Sequence, residues 1–176
     1  MKMKIKTSVI LILVIVLLTS CSAGQADAPS GMLRLSNEFA DYNMFVPDAW
    51  TIVSDENTGY SSAYFNERDR SNITVTAFEA NKTYTSLDEF WADYEEEFQS
   101  TFSDMEYISD ERVTLNGYEA KAVEYTASVT NVPYKYMQLV CIKGMTVYII
   151  TYTATEDNYA DHINTVWAMI NEFSFK

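Results

Sequence analysis

Short runs of alternating apolar and polar residues, bounded by turn residues, recur along the chain from about residue 42. A period of two residues is typical of β-strands that bury one face. Asn116-Gly117 separates two of these runs and favours the positive φ angles of a type I′ turn, so it predicts a hairpin. A second hairpin is predicted around the charged turn 66–70. The predicted strands are Tyr42–Val46, Trp50–Val53, Tyr60–Phe65, Asn72–Phe78, Glu111–Leu115, Tyr118–Val129, Tyr134–Ile142 and Met145–Thr153.

The two runs on either side of Lys143-Gly144 carry apolar residues at both odd and even positions. A strand that is apolar on both faces is covered on both faces. We therefore predict that Tyr134–Ile142 and Met145–Thr153 occupy the middle of the sheet.

Two other segments have the three- and four-residue spacing of amphipathic helices. Ser86-Leu87-Asp88-Glu89 has the spacing of a capping box, in which the serine oxygen accepts a backbone N–H and the glutamate reaches back. Glu156 and Asp157 suit the positive end of a helix dipole and predict the start of the second helix. The apolar stripes are Leu87, Phe90, Trp91, Tyr94, Phe98 and Phe102, then Tyr159, Ile163, Val166, Trp167 and Ile170. Hairpins and helices together predict an α+β fold, a central antiparallel β-sheet flanked by helices.

The N-terminus has the pattern of a targeting signal. Three lysines within residues 2–6 precede ten apolar residues at 9–18, a run too short to span a bilayer as a helix. Leu18-Thr19-Ser20-Cys21 then resembles the lipobox of bacterial lipoproteins, in which the cysteine is acylated. The resemblance implies that residues 1–20 are removed and that Cys21 is the lipid attachment site. The alternatives are an ordinary signal peptide cut nearby, with Cys21 incidental, or an uncleaved anchor.

Residues 22–31 are small and polar, which is typical of a flexible tether. The pattern is then continuous to the end, without a second linker or an internal repeat. The predicted organisation is a signal peptide at 1–20, a lipidated cysteine and tether at 21–32, and a single domain at 33–176. The lipid would hold this domain on the extracytoplasmic face of the cell membrane.

Acidic residues dominate the charge of the chain. It has 12 basic and 25 acidic residues, a formal net charge of −13, and loss of the three signal lysines would bring this to −16. Such a surface repels phosphate backbones and anionic headgroups, which argues against nucleic-acid binding.

Residues that could carry catalysis are sparse. His162 is the only histidine and lies beside the stripe of the second helix, where a structural or surface role is expected. Cys141 is the second of two cysteines and lies in an apolar run, so we expect a buried, inert thiol. The sequence has no glycine-rich motif of nucleotide or acyl-transfer sites. We therefore expect a protein without catalytic activity and without a cofactor.

Carboxylates leave metal binding open as an alternative, because calcium prefers oxygen ligands. Asp157 and Asp161 lie four residues apart on the second helix, and Asp55-Glu56-Asn57 falls in a loop. Neither set has the spacing of an EF-hand, and a solvated acidic surface explains both. Glu95-Glu96-Glu97 is likewise expected to be a solvated helix face.

Tyrosine is unusually frequent, with 13 residues. Tyr134 and Tyr136 alternate along one predicted strand, and Tyr148 and Tyr152 lie on its neighbour, so several rings are expected to share one sheet face. Ordinary cross-strand packing would produce this arrangement. Rings exposed beside a groove would instead indicate a ligand or protein contact.

The segment from Tyr42 to Trp50, an aromatic and apolar strand that ends in Pro-x-x-Trp, resembles the start of PsbP-like domains. The resemblance covers about residues 33–176 and implies an αβα sandwich. The family includes an extrinsic photosystem II subunit, a nuclear-transport cofactor and bacterial lipoproteins, so the shared fold does not specify an activity. The later motifs that follow the same order are Asn72-Ile73-Thr74-Val75, the helix after Ser86-Leu87, the Asn116-Gly117 hairpin, residues 134–138, residues 147–152 and Phe173-Ser174-Phe175.

The leading hypothesis is a lipid-anchored bacterial envelope protein whose PsbP-like domain is a non-catalytic binding or accessory module. Its partner would be another envelope protein or a small ligand. The alternatives are a calcium- or manganese-binding envelope protein and a purely structural envelope component. An exposed aromatic groove in the folded domain would favour the binding module over the structural component.

Overall fold

A computed structural model describes residues 27–36, 40–54 and 60–176. Within these ranges the strands are β1 (Met32–Arg34), β2 (Tyr42–Asn43), β3 (Phe45–Pro47), β4 (Thr51–Ser54), β5 (Tyr60–Tyr64), β6 (Asn72–Glu79), β7 (Glu106–Leu115), β8 (Tyr118–Val129), β9 (Val132–Lys143), β10 (Thr146–Thr155) and β11 (Ser174–Phe175), and the helices are α1 (Leu87–Thr101) and α2 (Glu156–Asn171). Seven of the strands form one antiparallel sheet in the order β4-β5-β6-β10-β9-β8-β7.

β9 and β10 lie in the interior of the sheet, as their two-sided apolar pattern predicts. Five consecutive residues of β9, from Met137 to Cys141, are buried, and so are Val147 to Ile150 of β10. Since successive side chains of a strand point to opposite faces, such runs are buried on both sides. The prediction for the middle of the sheet is confirmed.

The two helices pack on opposite faces of the sheet. Ile150 of β10 belongs to the apolar cluster beneath α2, whereas its neighbour Ile149 belongs to the cluster beneath α1. The α2 cluster includes Val166, Met169 and Ile170, and the α1 cluster includes Phe90, Trp91 and Phe98. This α+β arrangement is an αβα sandwich, as predicted. In the described part of the chain, neither helix is long and apolar enough to cross a membrane.

The N-terminus of α1 carries half of the predicted capping box. The Ser86 hydroxyl oxygen accepts a hydrogen bond from the backbone N–H of Glu89 at 3.1 Å. The Glu89 carboxylate reaches back one residue further than predicted, and accepts from the backbone N–H of Thr85 at 2.8 Å and from its hydroxyl at 2.7 Å. The bond to Ser86 satisfies one of the N–H donors that a helix N-terminus leaves without partners, and the bonds from Thr85 hold the residue before the cap.

Three hairpin turns use residues with positive φ angles, and in the turn between β9 and β10 this residue is Gly144, at 65°. Asn116 and Gly117 have φ angles of 48° and 85°, which confirms the predicted hairpin between β7 and β8. Thr130 and Asn131, with φ angles of 51° and 63°, make a second turn of this kind between β8 and β9. The sequence did not predict this second turn, because threonine is β-branched and rarely adopts the left-handed conformation.

β7 is longer than predicted, since it begins at Glu106 and not at Glu111. It lies at the edge of the sheet, and the added residues are exposed, so no alternating burial marks them as a strand. A register shift between Tyr107 and Ser109 interrupts its pairing with β8. Charged residues and bulges are common on exposed edges, where they hinder pairing with other chains.

Two short strand pairs, β1 with β3 and β2 with β11, complete the α2 side. The ring of Tyr42 stacks on Phe173 with centroids 5.5 Å apart, and the ring of Phe175 contacts that of Tyr148 at 4.8 Å. The structure thus divides the predicted strand 42–46 at Met44 and pairs its first part with the C-terminus. These contacts hold the C-terminal residues against the sheet.

Candidate functional site

α1 covers only part of its side of the sheet. The ring of Phe98 contacts Tyr125 of β8 with centroids 4.8 Å apart, and the Tyr94 hydroxyl donates to Gln138 Oε1 of β9 at 3.3 Å. On the same face of β4, β5 and β6, large side chains stay exposed: Val53 by 53%, Tyr60 by 42% and Phe78 by 41%. This half of the face is therefore open in the described structure.

A groove of about 390 Å³ lies on the open half. We call it the tyrosine groove, since four tyrosines contribute to its lining. A volume of this size falls within the range of small-molecule sites. Its residues are Val53, Tyr60, Ser62, Tyr64, Arg70, Asn72, Val129, Tyr134, Tyr136 and Thr153.

The floor of the groove is polar but uncharged. Tyr64, Asn72, Thr153 and Tyr136 lie side by side across β5, β6, β10 and β9, and Ser62 begins the next row. Thr74 of β6 and Thr151 of β10 continue that row and are half-buried. The floor therefore presents hydroxyl and amide groups that can donate and accept hydrogen bonds.

One wall of the groove is anchored in the α1 core. Tyr136 stacks on Tyr125, with centroids 4.7 Å apart and planes at 5°, and Phe102 packs against both rings. Tyr134 packs at a tilt against Tyr136, 6.3 Å away. Burial raises the pKa of the Tyr136 hydroxyl, so it remains a neutral donor. This stack holds the wall in place against the helix.

The opposite rim is a small polar network around Tyr64. Its hydroxyl donates to Glu67 Oε1 at 2.6 Å, a bond that raises the pKa of the tyrosine. Arg70 lies over the Tyr64 ring, 4.6 Å from its centroid, and pairs with Glu67 at 3.0 Å. The guanidinium at this rim thus already has a carboxylate and a ring as partners.

The tip of the β8–β9 hairpin forms a third side of the tyrosine groove. Val129, at the end of β8, is 46% exposed and lines the groove. The backbone N–H of Ser128 donates to both carboxylate oxygens of Asp104, at 3.3 and 3.2 Å, and hydrogen bonding from Ser128 lowers the Asp104 pKa. This link ties the tip to the loop that follows α1.

A second depression, of about 620 Å³, lies between α1 and the other end of β6. We call it the helix cleft; Phe78, Tyr84, Tyr94 and Glu97 are among its lining residues. Its lysine, Lys82, pairs with Asp93 at 2.7 Å and with Glu89 at 3.7 Å. The cleft is larger than the tyrosine groove, but its cation is already neutralised by these carboxylates.

The four tyrosines expected to contribute rings to a shared sheet face divide into two pairs, one on each face. Tyr136 pairs with Thr153, whereas Tyr152 pairs with Met137, so the two strands direct these rings to opposite faces. Tyr134 and Tyr136 lie on the α1 side, and Tyr148 and Tyr152 are fully buried on the α2 side. Strand register decides this, because a shift of one residue moves a side chain to the other face.

Sequence reasoning missed Tyr60 and Tyr64 as site residues. Both fall on a correctly predicted strand, but only the antiparallel pairing places them in one groove with Tyr134 and Tyr136. Alternation along β5 does carry a signal: Ser61 and Ala63 are buried, whereas Tyr60 is exposed. Tyr60 and Tyr64 share the other face of the strand with Ser62, and aromatic residues on the face opposite buried small residues could have indicated a surface for contact.

His162 forms a bridge within the α2 side. Its Nε2 lies 2.7 Å from Asp69 Oδ2, and its ring contacts Phe65 at 4.3 Å and Trp50 at 5.8 Å. The Asp69 carboxylate also accepts bonds from the backbone N–H and hydroxyl of Ser71. Partial burial acts to raise the pKa of Asp69, but these hydrogen bonds lower it overall. The bridge connects the β5–β6 turn to α2.

The two cysteines lie in different parts of the chain. Cys141 is fully buried in β9, and burial raises the pKa of its thiol to about 11, as expected for an inert thiol. Cys21, the predicted lipid attachment site, lies outside the described residues.

The acidic residues considered as metal ligands are dispersed. Asp157 and Asp161 are exposed on α2, and Glu96 and Glu97 are exposed on α1. The loop Asp55-Glu56-Asn57 lies outside the described residues. Among residues 27–36, 40–54 and 60–176, no three His, Cys, Asp or Glu side chains form a group suited to a metal ion.

Comparison with known sequences finds no match: no protein-family model fits the chain, and no curated protein is significantly similar. Solved structures do match. PsbP (CyanoP) from Synechocystis sp. PCC 6803 is 17% identical with a TM-score of 0.64, over 90% of this chain and 99% of that protein. LpqN, involved in cell envelope biogenesis of Mycobacterium tuberculosis, is 11% identical with a TM-score of 0.59, over 77% of this chain and 83% of its own.

A Pseudomonas aeruginosa protein of unknown function is also similar, at 16% identity and a TM-score of 0.55, over 78% of this chain and 91% of its own. At such low identities the common feature is the fold. The element order, the sandwich and these matches agree, and the chain therefore has the PsbP fold.

Proposed function

We propose that this protein is a lipid-anchored, extracytoplasmic binding module of the bacterial envelope, and that the tyrosine groove is its ligand site. The observation that carries the proposal is the open half of the α1 side, where Tyr60 and Val53 stay exposed over a polar floor. Natural proteins seldom expose large apolar groups together unless these take part in binding. The groove favours a binding role over a purely structural one.

The groove is equipped for recognition. Its described lining holds tyrosine rings, valines, hydroxyls, an amide and a guanidinium, without histidine, cysteine or carboxylate. Nucleophilic catalysis usually needs an activated nucleophile beside a base, and these side chains supply neither. Tyrosine contributes large contact area at a small cost in conformational entropy. We therefore propose binding without catalysis.

The proposal also includes the lipid anchor and the location of the protein in the envelope. The Leu18-Thr19-Ser20-Cys21 motif supports lipid anchoring at Cys21. Among proteins of the same fold, LpqN is described as involved in cell envelope biogenesis. Cys21→Ala should abolish labelling by radioactive palmitate and move the protein from the membrane to the soluble fraction. Unchanged labelling and fractionation would contradict the anchor.

The amount of envelope material that the protein binds tests whether the tyrosine groove is the binding site. Full-length protein in detergent is immobilised, and the bound mass from a solubilised envelope fraction is measured by surface plasmon resonance. Tyr60→Ala should lower this mass at least about fivefold, because the exposed ring is lost. Tyr107→Ala is the matched control, since Tyr107 is equally exposed, at 41%, on the distant edge strand β7. Equal binding by both variants would reject the groove as the site.

A further inference from the structure

The geometry points to an uncharged oligosaccharide as the ligand of the tyrosine groove, lying along β6 from the groove towards the helix cleft. This inference rests on the proposed function and specifies its ligand class. Three features carry it: the neutral floor, the pairing of rings with hydroxyls, and the alignment of the two depressions along one strand.

The neutral floor argues for a neutral ligand. Solvated faces of antiparallel sheets are usually polar, and charged residues are common on protein surfaces. The floor of this groove instead has hydroxyl and amide groups at five neighbouring positions, although the chain has a net charge of −13. Arg70 is engaged by Glu67 and by the Tyr64 ring. Within the groove, an anionic ligand would meet a repulsive protein, and a cationic one would find no carboxylate on the floor. The helix cleft does carry carboxylates, those of Glu79, Asp93 and Glu97, which can accept hydrogen bonds from the hydroxyls of a neutral ligand.

Rings and hydroxyls together match the two kinds of surface on a sugar. A pyranose has a face of C–H groups, which can stack on the electron-rich face of an aromatic ring. Its hydroxyls both donate and accept hydrogen bonds, and so do those of Ser62 and Thr153. Tyr60, which is 42% exposed, can present a ring face beside these hydroxyls.

The two depressions lie along the same face of β6. Asn72 lines the tyrosine groove and Phe78 lines the helix cleft. Thr74 and Thr76 lie between them on the same face and are half-buried. Six residues of strand span roughly 20 Å. A chain of several sugar units would fill this path, whereas a single sugar would occupy only the groove.

Calorimetric titration of the full-length protein tests the inference. The detergent should be of the polyoxyethylene type, because it carries no sugar. The probes are chitotetraose, maltotetraose and xylotetraose, the disaccharide of each, and decalysine as the cationic rival. We expect saturable binding of at least one tetrasaccharide, with a Kd that stays constant from about 0.05 to 0.5 M NaCl, since salt screens charges only.

Substitutions in the groove and in the cleft test whether the tetrasaccharide binds along β6. Tyr60→Ala should weaken the tetrasaccharide about tenfold, while Tyr60→Phe, which keeps the ring, and Tyr107→Ala, outside the groove, should bind normally. Phe78→Ala should weaken the tetrasaccharide but not the disaccharide, because only the longer ligand reaches the cleft. Thr153→Val should weaken both by removing a hydroxyl.

Two results would overturn the inference. One is that none of the tested oligosaccharides binds at concentrations up to about 5 mM, because a specific site should bind its ligand with a Kd below that concentration. The other is salt-sensitive binding of decalysine that depends on Tyr60, which would indicate a basic peptide as the ligand. In both cases Tyr60-dependent retention of envelope material would still support the binding function, so the two proposals fail separately.

Discussion

The two faces of β6 have opposite surroundings, although their residues alternate along one strand. Ile73 and Val75 are fully buried beneath α2, whereas Thr74 and Thr76 are half-buried on the open side. The first face contributes to the main apolar cluster of the sandwich. The second carries hydroxyls and borders the groove. The contrast indicates that β6 contributes to stability mainly through its α2 face, which leaves its other face available for a ligand.

Adjacent substitutions on β6 should give the largest difference. Ile73→Ala removes a buried side chain and leaves a cavity, so we expect a loss of about 3 kcal/mol in the free energy of unfolding. Thr74→Ala removes a half-buried group, and we expect a loss below about 1 kcal/mol. Urea unfolding followed by tryptophan fluorescence measures both. Similar losses would show that the open face is as important to stability as the core face.

A second adjacent pair tests the same contrast on β10. The Tyr152 hydroxyl donates to the backbone oxygen of Tyr159 at 3.0 Å in the buried α2 side. Tyr152→Phe leaves that oxygen without this donor, and we expect a loss of about 1 to 2 kcal/mol. Thr153→Val on the open face should change the free energy by less than about 0.5 kcal/mol. A larger loss from Thr153→Val in the same urea experiment would contradict the comparison.

Acidic pH should weaken the α2 side through Asp69. Its folded pKa lies below the ordinary value of 3.8, so protonation is harder in the folded state. Its contribution to stability is therefore complete above the ordinary pKa and is lost as the pH falls below about 3.8 towards the lower, folded pKa. Asp69→Asn should lose stability at pH 6 and show a smaller further loss on acidification. Identical pH profiles in thermal melts of both proteins would contradict this assignment.

The smallest change in the free energy of unfolding is expected at the tip of the β8–β9 hairpin, beside the tyrosine groove. Thr130 has a φ angle of 51°, which is unfavourable for a β-branched residue. Thr130→Gly relieves this strain, and after the entropic cost of glycine we expect a gain of up to about 1 kcal/mol. Asn131→Gly is the control with a smaller gain, because asparagine tolerates left-handed angles. A loss of stability in Thr130→Gly would show that the threonine side chain stabilises the tip.

Local patterns predicted the elements where burial leaves a periodic trace. Both helices, the Asn116-Gly117 turn and the two-sided strands β9 and β10 follow from spacing alone. Exposed segments leave no such trace, so the first half of β7 and the turn at Thr130-Asn131 were missed. The groove itself was not predicted: of the four tyrosines considered as a contact surface, Tyr134 and Tyr136 line it, whereas Tyr148 and Tyr152 are buried on the other face.

The sequence by itself determined the class of fold, because alternation, helical periodicity and turn residues act over short distances and survive in a single chain. It also carries the charge and the Cys21 motif on which the proposed setting depends. Only the tertiary structure decided which tyrosines line one groove, since Tyr60 and Tyr136 reach the same face through the pairing of β5, β6, β10 and β9. Such pairings join residues far apart in sequence, and a register change of one position would send each ring to the opposite face.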